Sequence, residues 1–294
     1  MARRRNRLQT ARQKPTAPEV ASGDSSFANH LSFAILLASI SGLAFLLRFI
    51  HVFQTLEVPT LIRLLGDAKG YFDWAIKISA GDWYGTETFY QAPLYPYFLA
   101  VLIKVIGPSI TLIRLVQVLL GVAGVALIGL AGRKLFSERV GLVSATMLAA
   151  YPPSIYYDGI IQKAALATFL VCLFMTACAY LQSEKRWWYA VLAGVSLGLL
   201  VLARENALLW TPVIPLWILL GIRETKRQRW ALVGCYAGGL ALILLPVAAR
   251  NASLGGEWSP TTFQAGPNFY IGNNLQANGI YVPLVPGHGT PMYE

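Results

Sequence analysis

Long apolar runs separated by short polar segments organise most of this chain, and their lengths predict membrane-crossing helices. A helix needs roughly 20 apolar residues to span a bilayer core. Seven runs come near that length: Leu31–Ile50, Leu112–Ala131, Val140–Tyr156, Ala164–Gln182, Trp187–Ala203, Ala207–Ile222 and Trp230–Ala248. An eighth, Leu94–Ile106, is shorter and carries Lys104, which suits an interfacial helix or a short span. In the polar stretch before it, Asp67, Tyr71, Trp74 and Ile78 recur at i, i+4, i+7 and i+11 and share one helical stripe, with Asp73 pointing elsewhere. That spacing predicts a helix on the membrane surface with a carboxylate at its start. Asp67, just after Gly66, can also serve as a simple helix cap, and Asp82, beside Gly81, reads as a turn residue.

Composition supports the membrane reading. Of 294 residues, 55% are hydrophobic and 13% charged, more apolar surface than one water-soluble core hides. The fold class expected is therefore all-α: an integral-membrane bundle of about seven transmembrane helices.

Charge then orients it. The amino-terminal segment and the stretches "RKLFSER", "SEKR" and "RETKRQR" are basic, and basic loops stay cytoplasmic. Seven spans put all four on one side only if Leu94–Ile106 does not cross. The inner side then holds 15 Lys/Arg against 5 Asp/Glu and the outer side 9 against 9, so the net charge of +10 is cytoplasmic. Orientation accounts for the basicity, and a nucleic-acid partner is not expected. Three regions follow: a basic, disordered cytoplasmic tail over 1–30, a membrane module over 31–250 with an outer loop at 51–111, and an outer segment over 251–294. Cys172, Cys178 and Cys235 lie inside spans without metal-ligand spacing and read as packing residues. No P-loop, HExxH or dinucleotide fingerprint is present.

Polar chemistry collects in the outer segments. Lys163 opens a span at its outer end, where it opposes the helix dipole and seeks an anion or snorkels to headgroups. Asp158 precedes it after Pro152 and Pro153. Arg204 and Glu205 follow a glycine-rich span; they can pair with each other, or Arg204 can hold two phosphate oxygens at once. The last segment, from Arg250, is rich in Gly, Asn and aromatics, Asn268 among them; turns and short strands with a hairpin at Asn278-Gly279 are one reading, sugar binding another.

The stretches "GDAKGYFDWA", "QAPLYPYFLA", "GLLVLAREN" and "PVAARNASLGGEWSPTTFQAGPNFYIGNN", in this order, resemble the polytopic glycosyltransferases of the GT-C superfamily. The dolichyl-phosphate-mannose protein mannosyltransferases and the aminoarabinose transferases that modify lipid A are the nearest types. The resemblance implies an inner-membrane enzyme, with its amino terminus cytoplasmic. It would move a sugar from a polyprenyl-phosphate carrier to a protein, lipid or glycan acceptor on the outer face. It places the catalytic carboxylate of the first outer loop at Asp67, acting as base with inversion. Lys163, Arg204 and Arg250 would stabilise the leaving phosphate, with Tyr71, Asp158 and Asn268 lining the substrates. Where the aminoarabinose transferases carry a glutamate-lysine pair this chain has Gln91 and Ala92, which points to Lys163 as the phosphate-binding lysine. No cofactor is required, although a divalent metal is possible. The chain ends without the further spans such enzymes usually carry, so one part of a longer or split enzyme is expected. The competing class is a transporter or flippase of isoprenoid-linked sugars, which would want ionisable groups at the bilayer midplane or paired repeats.

Overall fold

The computed structural model describes residues 22–56, 58, 63–255, 258–263, 265–275 and 277; the side chains of residues 22–31, 265, 267 and 268 lie outside that description. Among the described residues the regular structure is helical. In chain order the elements are α1 (Ser22–Thr55), α2 (Asp67–Ser79), α3 (Leu94–Ile106), α4 (Ile110–Leu135), α5 (Glu138–Ala149), α6 (Pro152–Asp158), α7 (Ala164–Glu184), α8 (Trp187–Ala203), a 3-10 turn (Glu205–Trp210), α9 (Val213–Gly221), α10 (Lys226–Ser253) and α11 (Ala265–Asn273).

Among the described residues four helical stretches are long and apolar enough to cross a membrane: Ser32–Thr55, Ile110–Leu135, Ala164–Glu184 and Lys226–Ser253. The protein is an integral-membrane helical bundle. Two of the runs expected to span are divided into shorter helices, while α8 has the same bounds as its run, Trp187–Ala203. Val140–Tyr156 is broken after Ala149, and a separate short helix starts at Pro152. Ala207–Ile222 divides into the 3-10 turn and α9 around Pro212. Proline has no N–H for the helical ladder, so each break falls where the ring tolerates a new start. Helix α8 has 17 residues.

Small residues let the helices approach, as membrane interiors favour. A Cβ on Gly194 of α8 would lie 2.1 Å from the Tyr236 carbonyl of α10, and one on Gly239 would lie 2.4 Å from the Val191 carbonyl. The three basic loops meet at one end of the bundle. Lys134 pairs with Glu184 at 3.0 Å, Lys185 with Glu224 at 2.9 Å, and Arg133 with Glu138 at 2.9 Å. At the opposite end the carboxyl end of α1 meets α5, α6 and the start of α4. The amino-terminal tail expected over 1–30 is helical from Ser22, and residues 1–21 lie outside the description.

Residues 265–273 form a helix where turns and short strands were anticipated; the Asn278-Gly279 hairpin lies outside the described residues. Helix α2 has the stripe read from its spacing: Tyr71, Ala75 and Ile78 are buried and Trp74 is half-buried. That face packs on α3, where the Tyr71 and Tyr95 rings meet edge-on with centroids 5.4 Å apart. Asp73 is exposed and pairs with Lys69 one turn earlier.

Candidate active site

Helix α2 begins at Gly66, whose φ of 55° lies in the left-handed region that a glycine adopts without strain. Asp67 is the first helical residue and is exposed, and among the described residues its side chain has no hydrogen bond to the backbone of α2. The positive end of the helix dipole favours its charge there. One turn on, Tyr71 is buried, and the Lys163 ammonium lies 5.8 Å from the centroid of its ring. Lys163 is the residue that starts α7, and Arg204 the one that ends α8.

The Lys163–Tyr71 contact brings α2 to the start of α7, and the charges of Asp67, Arg204 and Glu205 act on both groups. Burial pushes the Tyr71 phenol up to about 12, reinforced by Asp67 and Glu205 and opposed by Arg204. The Lys163 ammonium is lowered first by burial and next by the like charge of Arg204, while Glu205 and Asp67 hold it up. Asp67, Tyr71, Lys163, Arg204 and Glu205 thus form one cluster from three separate stretches of chain. Tyr71 stays a neutral phenol between carboxylates and cations. No ion pair or hydrogen bond joins Arg204 to Glu205 among the described residues, so the simple pairing considered from the sequence is not their arrangement.

A groove of about 790 Å³ shares Arg204 with this group of residues. Its wall is mostly apolar, with Ile128, Met147, Val171 and Leu200 along it and Trp210 at its rim, and Arg204 and Asn206 bring the polar end. The residues it takes from α7, Ala164 to Cys172, extend it by ~12 Å along that helix at 1.5 Å per residue. A long apolar chain with an anionic head fits such a shape.

Two other expected site residues lie elsewhere. Asp158 is 1% exposed and accepts from Arg48 Nε at 2.7 Å, and Arg48 is itself 0% exposed. The remaining Arg48 donors go to the carbonyls of Ala44, Ala149 and Leu148 and to the Ser154 hydroxyl. The carboxylate that sequence placed beside Lys163 as a substrate ligand is therefore an internal partner. Arg250 also serves a structural purpose. It donates to the carbonyls of Tyr84 at 2.7 Å and Glu87 at 3.0 Å, and its guanidinium lies 3.7 Å from the centroid of the Phe89 ring. Asn268 lies in α11, and its side chain is outside the described residues. Asp82 behaves as the turn residue its neighbours suggested, accepting from the Gly85 N–H at 3.0 Å.

Residues the sequence reading passed over support the cluster from behind. Tyr95 donates to Gln117 Oε1 at 2.6 Å, and Gln117 Nε2 donates to the carbonyls of Asp158 at 3.2 Å and Ile160 at 2.6 Å. This chain fixes both the ring beneath Tyr71 and the loop that leads into Lys163. A glutamine inside an apolar run was the available signal. Among the described residues no group of three or more His, Cys, Asp or Glu side chains is placed to hold a metal.

Residues 90–249 match the model of the dolichyl-phosphate-mannose-protein mannosyltransferase family, which is more than half of the chain. The chain belongs to that family. It is accordingly a membrane glycosyltransferase of the GT-C type. The matched part contains Lys163 and Arg204; Asp67 and Tyr71 precede it. No curated protein matches the chain.

Proposed function

We propose that this protein transfers a sugar from a polyprenyl-phosphate donor to an acceptor hydroxyl, with inversion at the anomeric carbon. The observation that carries the reading is Arg204, which lines the polar end of a long apolar groove and whose charge also acts on Lys163, the residue just before the groove-lining Ala164. The prenyl chain lies in the groove and the phosphate meets Arg204 and Lys163, a planar fork and a point charge for its oxygens. Asp67 takes the proton from the acceptor hydroxyl as that oxygen bonds to the anomeric carbon. The bond from that carbon to the phosphate oxygen breaks, and polyprenyl phosphate leaves with the charge that Lys163 and Arg204 stabilise.

The topology that fits is seven traverses. Residues 138–149, 187–203 and 205–222 run between the same two ends as the four long helices, with Leu94–Ile106 left at the end that carries Asp67. With the basic end cytoplasmic, Asp67 faces outward, in a bacterial inner membrane. Nucleotide sugars are confined to the cytoplasm, and a lipid-borne donor fits a site on that outer face.

Membranes containing the protein, supplied with labelled polyprenyl-phosphate sugars, should release sugar or pass it to an acceptor. Movement of intact labelled lipid across the bilayer without cleavage of the sugar bond would favour a flippase instead. Arg204→Ala and Lys163→Ala are each expected to raise the donor KM at least about tenfold, the loss of one charge-assisted hydrogen bond. Unchanged donor kinetics in both variants would sink the assigned phosphate site. With two cations on the leaving group the proposed step has no need of a metal, and saturating EDTA should leave turnover unchanged; a chelator-sensitive rate restored by magnesium would overturn that part.

A further inference from the structure

A second cleft, of about 420 Å³, lies on the far part of α2 and the loop that follows it. Its character is opposite to that of the groove. Trp74 and the half-exposed Tyr90 offer ring faces, Asp82, Glu87 and Gln91 offer oxygens, and Lys77 stands at the edge. Buried Phe89 underlies it, with Trp74 on one side at 5.8 Å and Arg250 on the other.

The cleft is held in shape from the carboxyl end of α10. Besides the Arg250 bonds to Tyr84 and Glu87, the Phe89 N–H donates to Asn251 Oδ1 at 3.4 Å, and the Phe263 N–H donates to the Phe89 carbonyl at 3.2 Å. Asn251, 0% exposed, also donates to the carbonyls of Ser259 at 3.0 Å and Thr261 at 2.9 Å. A loop tied at this many points is preorganised, and preorganised polar pockets bind with little ordering cost. Two carboxylates and two cations line it, so neither an anion nor a cation is favoured. A neutral ligand with many hydroxyls uses both signs at once, and ring faces stack on the apolar side of sugars. Trp74 also shares the α2 stripe with Asp67, ~10 Å further along the helix at 1.5 Å per residue. Only an acceptor longer than one sugar ring reaches both.

We propose that this cleft is the acceptor subsite and that it takes a short uncharged oligosaccharide, whose terminal hydroxyl is presented to Asp67. The proposal rests on the transferase reading above for its orientation toward Asp67, and on the cleft alone for the class of ligand.

The test is direct binding, independent of turnover. Purified full-length protein in detergent is titrated with trisaccharides of mannose, glucose and N-acetylglucosamine, and with a serine/threonine-containing peptide, by saturation-transfer NMR. Wild-type protein should bind at least one trisaccharide more tightly than its monosaccharide. Glu87→Gln and Tyr90→Ala, both at exposed positions, should each weaken that binding about tenfold. Binding of none of the three trisaccharides, binding that both variants leave intact, or seating of the peptide in the cleft in their place would each overturn the proposal. Sugar release from a polyprenyl-phosphate donor is measured on the same preparation. Release without saccharide binding removes the subsite and leaves the transferase standing. Saccharide binding that depends on Glu87 and Tyr90, without any release, removes the transferase chemistry and leaves the subsite standing.

Discussion

Asp67→Asn is expected to cut glycosyl transfer by about 10²–10⁴-fold, the range a positioned general base contributes, with the melting temperature in detergent nearly unchanged. The two halves of that expectation come from different observations. Loss of turnover follows from the chemistry: an amide has no basic lone pair to take the hydroxyl proton, while its size and the start of α2 are preserved. Retention of the fold follows from the site: the side chain is exposed, so its replacement leaves no buried polar group unpaired. Asp73→Asn is the matched control. It sits on the same helix, exposed and paired with Lys69, and should leave transfer unchanged. The measurement is single-turnover transfer from labelled donor alongside thermal unfolding for each variant. An Asp67→Asn protein that turns over at the native rate removes Asp67 as the base. A variant inactive because it no longer folds would show in the melting curve, and Asp67→Glu, which keeps the carboxylate, then decides by whether any rate survives.

The same contrast explains how far the sequence alone could go. Asp67, Tyr71, Lys163 and Arg204 are legible in the sequence as candidates because each stands where local rules make it conspicuous: a carboxylate at a helix start, a ring one turn later, cations at helix ends. The structure draws them into one cluster because α2, the start of α7 and the end of α8 lie at one end of the bundle. Asp158 obeyed the same local rules and yet has a different partner. Its fate was set by Arg48, 110 residues away, and local pattern says nothing of a partner at that distance. The signal was present in a different form, as an isolated arginine in an apolar run, which has to find a counter-charge. The runs over 140–156 and 207–222 are divided into shorter helices for a local reason. Hydrophobic length counts residues without regard to proline, and Pro152 and Pro212 divide both runs. The cleft over 74–91 was hardest to see, since its walls come from a loop whose shape depends on Arg250 and Asn251 on a distant helix.

Arg48→Met should destabilise the protein by about 3–5 kcal/mol, the usual consequence of leaving one member of a buried ion pair alone. Arg48 and Asp158 are 0% and 1% exposed. Gly121 shows how tight the site is: a Cβ there would stand 2.1 Å from Asp158 Oδ2 and 2.9 Å from Arg48 Nε. Gly121→Ala is accordingly expected to be destabilising by overpacking alone, typically about 1–3 kcal/mol. Asp158→Asn strands the arginine charge and should also be costly, whereas Arg48→Met with Asp158→Asn removes both charges while keeping similar volumes. That double variant should regain much of the stability lost in either single one, because a buried pair contributes little beyond what its separation costs. Its activity then separates two roles. Gln117 holds the Asp158 and Ile160 carbonyls through backbone contacts that the double variant retains, so the loop leading to Lys163 should stay in place and donor KM should remain close to native. If Asp158→Asn instead matches the native melting temperature while donor KM rises sharply, Asp158 is a substrate ligand after all, and the buried pair with Arg48 is not what holds this end of the bundle together.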